Sequence, residues 1–423
     1  MKQSTAVPIS TEASIPRAFA YYRLADSPRG QAMRWQFERI AQSRLDLPEQ
    51  VIRQFGAAMN TGDRLGDAYI DKAFATQAGK AGARKDVERA LAGGIESVTD
   101  PSPELRALFE HINTDPEWVN WNTIEHGAEV FRRYGKELYP YFGMITFAGY
   151  ATRTISRPLA LTGAYTGNSA FHRFLETSRL WTDTTEPGAM RPGGVGRRSA
   201  ILVRVLHSII RHTLLPHPEW DREDLGVPIS QLGMFQTLMA SSHFPGQQLK
   251  LLGYRPTDDD VVAMMHHWRY VGHLMGVEPP WYPQTAADGF RAQLLVMLAE
   301  EPSFGPDSAE LCRSFMNTYL PPEDARGVRR LVGNLRYQAQ LGHSMFYLGS
   351  DLHKASGLPD PGPWRYAPLA RVVPNFARET ARRMIPGVAG WIDQIHRRKR
   401  QEFLRKNLGG GEAKFQPVDK LTR

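Results

Sequence analysis

One histidine in the sequence lies where two arginines and an apolar surface would meet on a helix. Residues 201–211 read ILVRVLHSIIR, and the apolar spacing of this segment predicts a helix. At about 100° per residue, Arg204 and Arg211 fall within about 60° of His207 around the helix axis. A valine and an isoleucine flank the other side of the imidazole. His207 is therefore either a ligand for a bound group or a boundary residue of an ordinary amphipathic helix.

A haem would suit the first of these interpretations. Its macrocycle is flat and apolar, its iron binds a neutral imidazole, and two propionates lie at one edge. Arginine binds carboxylates in a bidentate way, so Arg204 and Arg211 would hold the propionates while His207 binds the iron. The helical wheel alone leaves the amphipathic alternative open.

A second segment places three polar residues on one face of a predicted helix. Arg173, Glu176 and Thr177 occupy positions i, i+3 and i+4. A guanidinium, a carboxylate and a hydroxyl on one face would suit a pocket in which oxygen is activated, with the carboxylate as a base. The alternative is a surface ion pair between Glu176 and Arg173 or Arg179, worth about 0.3–0.5 kcal/mol.

Other catalytic and metal-binding motifs are missing from the sequence. Gly194-Val195-Gly196 lacks the third glycine of a dinucleotide-binding motif, and no strand is predicted before it. No histidine has a glutamate three positions earlier, as a di-iron helix pair would need. The one cysteine, Cys312, excludes an intrachain disulfide and fits a buried structural role. His266 and His273 share one predicted helix face and remain open as ligands, with packing or surface roles as the alternative.

The rest of the chain predicts the scaffold around these segments. Helical spacing dominates and alternating strand patterns are scarce, so the expected fold class is all-α, with a globin-like helical core and additional helices. Residues 29–405 are expected to form a single helical domain, between an N-terminal arm at 1–28 and a flexible C-terminal tail at 406–423. A long loop is predicted at 182–198. The predicted helices are 31–53, 103–111, 121–139, 143–154, 168–180, 199–214, 230–241, 257–275, 283–299, 308–319 and 326–348.

Charge and hydropathy limit the possible partners. The net charge is +8, but arginine and lysine alternate with acids along the chain, so a nucleic-acid partner is not expected. The dense basic run HRRKR at 396–400 is either a weak contact for an anionic membrane surface or a solvated helix end. No apolar stretch reaches the roughly 20 residues that span a bilayer, and no signal-peptide pattern is present. We therefore expect a cytoplasmic protein.

Taken together, the segments resemble the latex-clearing proteins, or rubber oxygenases, and the related oxygenase that cleaves a farnesyl chain in mycophenolic acid biosynthesis. The resemblance extends from about residue 113 to residue 348, and it rests on the order and spacing of several motifs. These are RFLET at 173–177, GGVGRR at 193–198, VRVLHSIIR at 203–211, WD at 220–221, GVPI at 226–229, WRYVG at 268–272 and LMGV at 274–277.

The resemblance implies a globin-like core around a b-type haem, with His207 as the axial ligand of the iron and Arg204 and Arg211 near the propionates. The distal helix of the family corresponds to residues 173–177. Members of known activity use O₂ to cleave a carbon–carbon double bond of an isoprenoid and leave carbonyl ends. Rubber-cleaving members carry Arg-x-x-Lys-Thr on this helix, whereas Glu176 replaces the lysine here. We therefore expect a branch that does not cleave rubber, with Glu176 as the candidate base.

The expected function is that of an oxidoreductase, a haem b-dependent oxygenase with O₂ as co-substrate. Its substrate would be an apolar small molecule, either an isoprenoid or another alkene. One alternative is a non-catalytic haem protein, a sensor, carrier or store, that uses the same His207. Another is a helical binding module without haem, in which His207→Ala would leave folding and ligand binding unchanged. The sequence leaves the oligomeric state open.

Overall fold

Helices account for nearly all of the regular structure. A computed structural model describes residues 14–76, 79–162 and 169–408, and within these ranges it contains helices and no strand. The described residues are 72% helical, which confirms the predicted all-α class. The α-helices are α1 (Tyr21–Ala25), α2 (Pro28–Ala41), α3 (Glu49–Ala58), α4 (Arg64–Phe74), α5 (Gly79–Gly93), α6 (Pro103–Asn113), α7 (Trp121–Arg133), α8 (Leu138–Tyr150), α9 (Arg153–Leu161), α10 (Ser169–Thr184), α11 (Val195–Leu214), α12 (Arg222–Leu225), α13 (Gln231–Ser241), α14 (His243–Gln248), α15 (Asp258–Leu274), α16 (Ala286–Leu298), α17 (Pro306–Asn317), α18 (Gly327–Leu348), α19 (Ser350–Ala355), α20 (Val372–Met384) and α21 (Val388–Asn407). Short 3₁₀ helices cover Ile95–Ser97, Gly135–Glu137, Leu249–Leu252 and Gly362–Arg371.

The helix predicted at 31–53 is wrong, because the structure divides it. α2 ends at Ala41, and Gln42 then adopts a left-handed backbone conformation with φ of 50°. α3 begins after Pro48, whose backbone nitrogen carries no hydrogen and therefore cannot donate a hydrogen bond to a preceding turn. The sequence pattern continued across this break because both helices carry apolar residues at helical spacing.

The long loop predicted at 182–198 is also shorter in the structure. α10 continues to Thr184, and the hydroxyls of Thr182 and Thr184 donate to the carbonyl oxygens of Ser178 and Leu180 at 2.9 and 2.8 Å. These bonds satisfy buried polar groups inside the helix, so a threonine-rich segment remains helical. α11 then begins at Val195, and only residues 185–194 connect the two helices.

One hydrophobic cluster connects most of the described chain. Its buried members run from Ala18 to Leu358, so part of the segment predicted as an N-terminal arm packs into the core. The division into arm, single domain and tail stays a prediction, and residues 1–13 and 409–423 lie outside the described ranges. The helix that matters most for the site is α4, which the sequence did not predict and which packs against α11.

Candidate functional site

His207 lies deep in the protein, midway along α11. Its Nδ1 atom is buried and has no hydrogen-bond partner within residues 14–76, 79–162 and 169–408, although part of the residue surface remains accessible. Burial and, to a smaller extent, the positive charge of Arg211 lower the pKa of His207 to about 3, against a smaller opposite effect of Asp63. The imidazole is therefore neutral at pH 7. A neutral imidazole without a hydrogen-bond partner is chemically suited to bind a metal ion.

The two arginines beside His207 pair with carboxylates of α4. The Nε and Nη2 atoms of Arg204 donate to the two oxygens of Asp63 at 2.6 and 2.8 Å, and both side chains are buried. The Nε atom of Arg211 lies 2.9 Å from each oxygen of Asp67. Both arginines point toward α4, on the side of α11 where the helical wheel placed them.

The carboxylate of Asp63 is held tightly where α4 begins. It caps the helix by accepting a hydrogen bond from the backbone N–H of Gly66 at 3.1 Å. Gly276 lies against it with φ of +74°, where a Cβ atom would overlap the carboxylate. Burial alone would raise the pKa of Asp63, but the charge and hydrogen bonds of Arg204 outweigh it and hold the pKa below its ordinary value.

A third aspartate on α4 pairs with a basic residue of α11, nearer to the surface. The Nδ1 atom of His212 lies 2.6 Å from Oδ1 of Asp71, and the carboxylate is exposed. We call the three pairs, Asp63–Arg204, Asp67–Arg211 and Asp71–His212, the α4–α11 ladder. The acids are spaced four residues apart along α4, so they share one helix face.

Sequence reasoning missed the acidic half of this ladder. The signal was present, because two arginines on an otherwise apolar helix need buried partners, and three aspartates repeat at the spacing of a helix face. The predicted role of Arg204 and Arg211 at haem propionates is not tested by these contacts and stays a prediction. Every donor nitrogen of Arg211 is already engaged, whereas the one contact of Arg204 Nη1 with the described residues is long, 3.5 Å to the carbonyl oxygen of Leu274.

The three predicted distal residues lie together on α10. The Nη1 atom of Arg173 donates to Oε2 of Glu176 at 3.0 Å, so the ion pair considered as the alternative interpretation is present. The hydroxyl of Thr177 donates to the carbonyl oxygen of Arg173 at 3.1 Å. Arg179, the other possible partner of Glu176, pairs instead with Asp183 at 2.7 Å. Glu176 is mostly buried, whereas Thr177 is exposed.

α10 and α11 meet at the ends joined by their connecting loop. The hydroxyl of Ser199 donates to Oδ2 of Asp183 at 2.9 Å, and a Cβ atom on Gly196 would lie 2.5 Å from the Cα atom of Thr184. With a rise of 1.5 Å per residue, Glu176 lies about 10 Å and His207 about 12 Å from this contact along their own helices, both away from the loop. Measured along its own helix, each of the two predicted groups is therefore about equally far from this contact.

The remaining candidate ligands do not form a metal centre. No group of three or more potential metal-ligating side chains occurs within the described residues. The ring of His273 packs against that of His111, with ring centroids 4.4 Å apart, and burial lowers the pKa of His273 to about 3. His266 lies on the same helix, partly buried. Cys312 is buried, and burial raises the pKa of its thiol.

Comparisons with known proteins define the class. Residues 131–390 match the model of a family described as "ER-bound oxygenase mpaB/B'/Rubber oxygenase, catalytic domain". This match covers more than half of the chain, and the chain belongs to this family. It includes α10 and α11, whereas Asp63 and Asp67 lie outside it.

Two individual proteins resemble the chain. A rubber oxygenase from Streptomyces sp. (strain K30) is 27% identical over 215 residues, which cover 49% of this chain and 50% of that protein. The match thus spans about half the length of this curated relative. A structure of latex clearing protein LCP in the closed state superimposes with a TM-score of 0.62 at 19% identity, over 81% of this chain and 91% of that one. At this identity the likeness shows the fold alone.

The family assignment confirms the resemblance identified from the sequence, and it confirms the prediction of an oxygenase at the level of the family. Among the described residues, no helix is both long enough and apolar enough to cross a bilayer. The predicted cytoplasmic location stays a prediction.

Proposed function

We propose that the chain is a haem b-dependent oxygenase that acts with O₂ on an apolar, alkene-containing small molecule such as an isoprenoid. The observation that carries the proposal is His207, a neutral imidazole whose buried Nδ1 atom has no hydrogen-bond partner among the described residues. A buried polar atom without a partner costs free energy, so a bound group that uses the imidazole would account for its position.

The residues around His207 fit a haem. His207 would hold the haem through its iron, which would supply the centre at which O₂ is activated. Arg204 would meet a propionate through Nη1, its least engaged group, while Arg211 would contribute its charge. The α4–α11 ladder would hold the imidazole in place, because it fixes residues three before and four after it.

The α10 residues would act on the substrate side. Glu176 would accept a proton from the substrate, and Arg173 would keep its carboxylate oriented through the 3.0 Å ion pair. Thr177 already donates to its own helix, and its hydroxyl oxygen can still accept a hydrogen bond.

Oxidative cleavage of the alkene is the reaction that the relatives suggest. The C=C and O=O bonds break and two C=O bonds form, so both atoms of O₂ enter the products and the overall reaction needs no external reductant. The name of the Streptomyces relative refers to rubber, itself a polymer of alkene units. For this chain we propose a smaller apolar substrate, because Glu176 stands where rubber-cleaving relatives are expected to carry lysine.

An absorption spectrum tests the proposal directly. The chain is expressed with a haem precursor beside His207→Ala and beside His212→Ala, a control on the same helix whose imidazole pairs with Asp71 at the surface. We expect a Soret band in the wild type and in His212→Ala, and its loss in His207→Ala. In a His207→Gly variant, added imidazole should restore the band. A colourless wild type with adequate haem supply would contradict the proposal.

A haem protein without catalysis is the second candidate, because Glu176 is already paired with Arg173. The two functions differ in O₂ consumption. The haem-loaded protein is supplied with a panel of alkenes in an oxygen electrode, and substrate-dependent uptake with carbonyl products indicates the oxygenase. Reversible O₂ binding with no uptake for any alkene indicates the carrier or sensor.

A further inference from the structure

Helix α20 turns its apolar side to the solvent. Val373 and Met384 are 77% and 75% exposed, and Phe376 is half exposed. The polar residues Asn375 and Glu379, in contrast, are buried. An ordinary surface helix has the reverse arrangement, with the apolar stripe toward the core.

Hydrogen bonds fix this orientation. The Nδ2 atom of Asn375 donates to the carbonyl oxygen of Leu252 at 2.9 Å. Arg378 donates to the hydroxyl of Tyr254 at 2.7 Å, and Glu379 pairs with Arg382 at 3.2 Å. The polar side of α20 is therefore bonded to the protein or paired within the helix, and the exposed apolar side follows from that attachment.

Neighbouring elements extend the apolar surface. The 3₁₀ helix Gly362–Arg371 and helix α21 both pack against α20. Each carries large exposed side chains, of which Trp391 on α21 is 64% exposed. We define the α20 face by its six large exposed members, Tyr366, Leu369, Val373, Phe376, Met384 and Trp391.

The charge on and around this face is positive. Residues 362–384 contain five arginines and one acid, Glu379. Three of these arginines are paired with acids, Arg365 with Asp360, Arg371 with Glu137 and Arg382 with Glu379. The guanidinium of Arg255 lies over the ring of Phe376, 5.1 Å from its centroid, and Arg383 donates to the backbone carbonyl of Arg255. Within the described part of the chain, neither of these two guanidiniums forms an ion pair with a carboxylate.

Helix α18, which packs against the 3₁₀ helix Gly362–Arg371, also exposes apolar side chains and contains arginines. Val328, Leu331 and Leu335 are exposed at positions i, i+3 and i+7, and the helix contains three arginines and no acid. The basic run at 396–400 is less available, because His396 and Arg400 are buried and Arg400 pairs with Glu186. Apolar and cationic groups are thus concentrated around α20 and not at the run for which the sequence left a membrane contact open.

We propose that the α20 face docks on an anionic phospholipid surface. Exposed aliphatic groups, a tryptophan and a tyrosine beside arginines suit the boundary between headgroups and acyl chains. A second copy of the chain is the weaker fit, because a two-fold contact through this face would bring the guanidiniums of Arg255 and Arg383 toward those of the other copy. In this proposal the α20 face lies on the membrane surface, and no helix among the described residues is long and apolar enough to cross a bilayer.

Vesicle co-sedimentation tests the proposal with the full chain. One set of vesicles contains phosphatidylcholine alone, and the other contains phosphatidylcholine mixed with phosphatidylserine. We expect the protein to sediment with the mixed vesicles and to remain largely in solution with the neutral ones. Added salt should weaken the binding, because surface charges are screened.

Variants separate docking by this face from general attraction of a basic protein. Phe376→Ser keeps the net charge and should lower the partition coefficient at least about tenfold, because an apolar ring no longer enters the lipid. Arg383→Gln should lower it about fivefold. Trp35→Ser on α2, another exposed tryptophan with arginines nearby, is the control and should bind like the wild type. Circular dichroism and thermal unfolding confirm that each variant is folded.

Three results would overturn the proposal. The wild type would remain in solution with both vesicle types, or Phe376→Ser would bind as tightly as Trp35→Ser. The third result is a concentration-dependent dimer, detected by light scattering and abolished in Phe376→Ser, together with no vesicle binding by the wild type. The last result would assign the face to a second copy of the chain.

Discussion

The α4–α11 ladder and the Arg173–Glu176 pair use the same chemical groups in different ways. The ladder joins two helices through residues about 140 positions apart in sequence, and its inner pair, Asp63–Arg204, is buried. The α10 pair lies within one helix turn, and Arg173 remains partly exposed. A local pair on one helix fixes little beyond the orientation of a side chain, whereas a buried pair between helices fixes their relative position.

This difference suggests a division of roles around His207. The ladder lies on the same helix as the imidazole and would determine where it sits. The α10 residues lie on the neighbouring helix, where a substitution such as the proposed Lys to Glu176 exchange alters chemistry without disturbing the core. Changes to the ladder should therefore affect stability first, and changes on α10 should affect turnover first.

The largest effect is expected for Asp63→Ala. The substitution leaves the guanidinium of Arg204 buried without its carboxylate, at an expected cost of about 3–5 kcal/mol in the free energy of unfolding. That is a large part of the roughly 5–15 kcal/mol by which most domains are stable. Urea unfolding monitored by circular dichroism measures the loss.

A double variant provides the control for this prediction. Asp63→Leu combined with Arg204→Met replaces both charges with apolar side chains and should recover much of the stability, since no unpaired charge remains. A loss below about 1 kcal/mol in Asp63→Ala would show that the pair behaves like a surface ion pair.

Glu176→Gln on α10 should lower turnover and leave the stability of the protein nearly unchanged. It removes a proton acceptor but keeps the size of the side chain, so we expect substrate-dependent O₂ uptake to fall by about 10²–10⁴-fold. The Soret band should be unchanged, and the free energy of unfolding should change by less than about 1 kcal/mol. Thr177→Val is the matched variant on the same face and should retain more activity. Full turnover in Glu176→Gln would exclude its role as the base.

Lowering the pH should change the contributions of two ladder residues, Asp63 and Asp67, to the free energy of unfolding in opposite directions. The pKa of Asp63 is held below its ordinary value by Arg204, whereas burial raises the pKa of Asp67 above it despite the charge of Arg211. The stabilising contribution of Asp63 is complete above its unfolded pKa of about 3.9 and is lost as the pH falls through the lower folded value. Asp67 takes up its proton first in the folded state, so the fold gains stability as the pH falls through that raised value.

The measurement is the free energy of unfolding of the wild type minus that of each asparagine variant, between about pH 7 and about pH 3. The difference should fall with acid for Asp63→Asn and rise for Asp67→Asn. Parallel curves for the two variants would contradict the assigned directions of the pKa shifts.

The sequence predicted what depends on local spacing and missed what depends on contacts between distant segments. The helix around His207 and the common face of Arg204 and Arg211 follow from periodicity alone. Helix α4 was not predicted, because its sequence RLGDAYIDKAF contains a glycine and two aspartates that favour turns. Packing and ion pairs with α11 stabilise it, and neither can be identified without the fold. The threonines at 182–185 were similarly assigned to a loop, although burial and bonds to their own helix keep two of them in α10.

The smallest effect is expected at the outer end of the ladder. Asp71 is exposed, and its 2.6 Å contact with His212 lies where water screens the charges. Asp71→Asn should therefore change the free energy of unfolding by less than about 1 kcal/mol, and it should leave the Soret band intact. Urea unfolding of Asp71→Asn and Asp63→Ala under the same conditions compares their losses in the free energy of unfolding. If both substitutions cost the same, the ladder would act as one cooperative network, and burial of its inner pair would not be what positions His207.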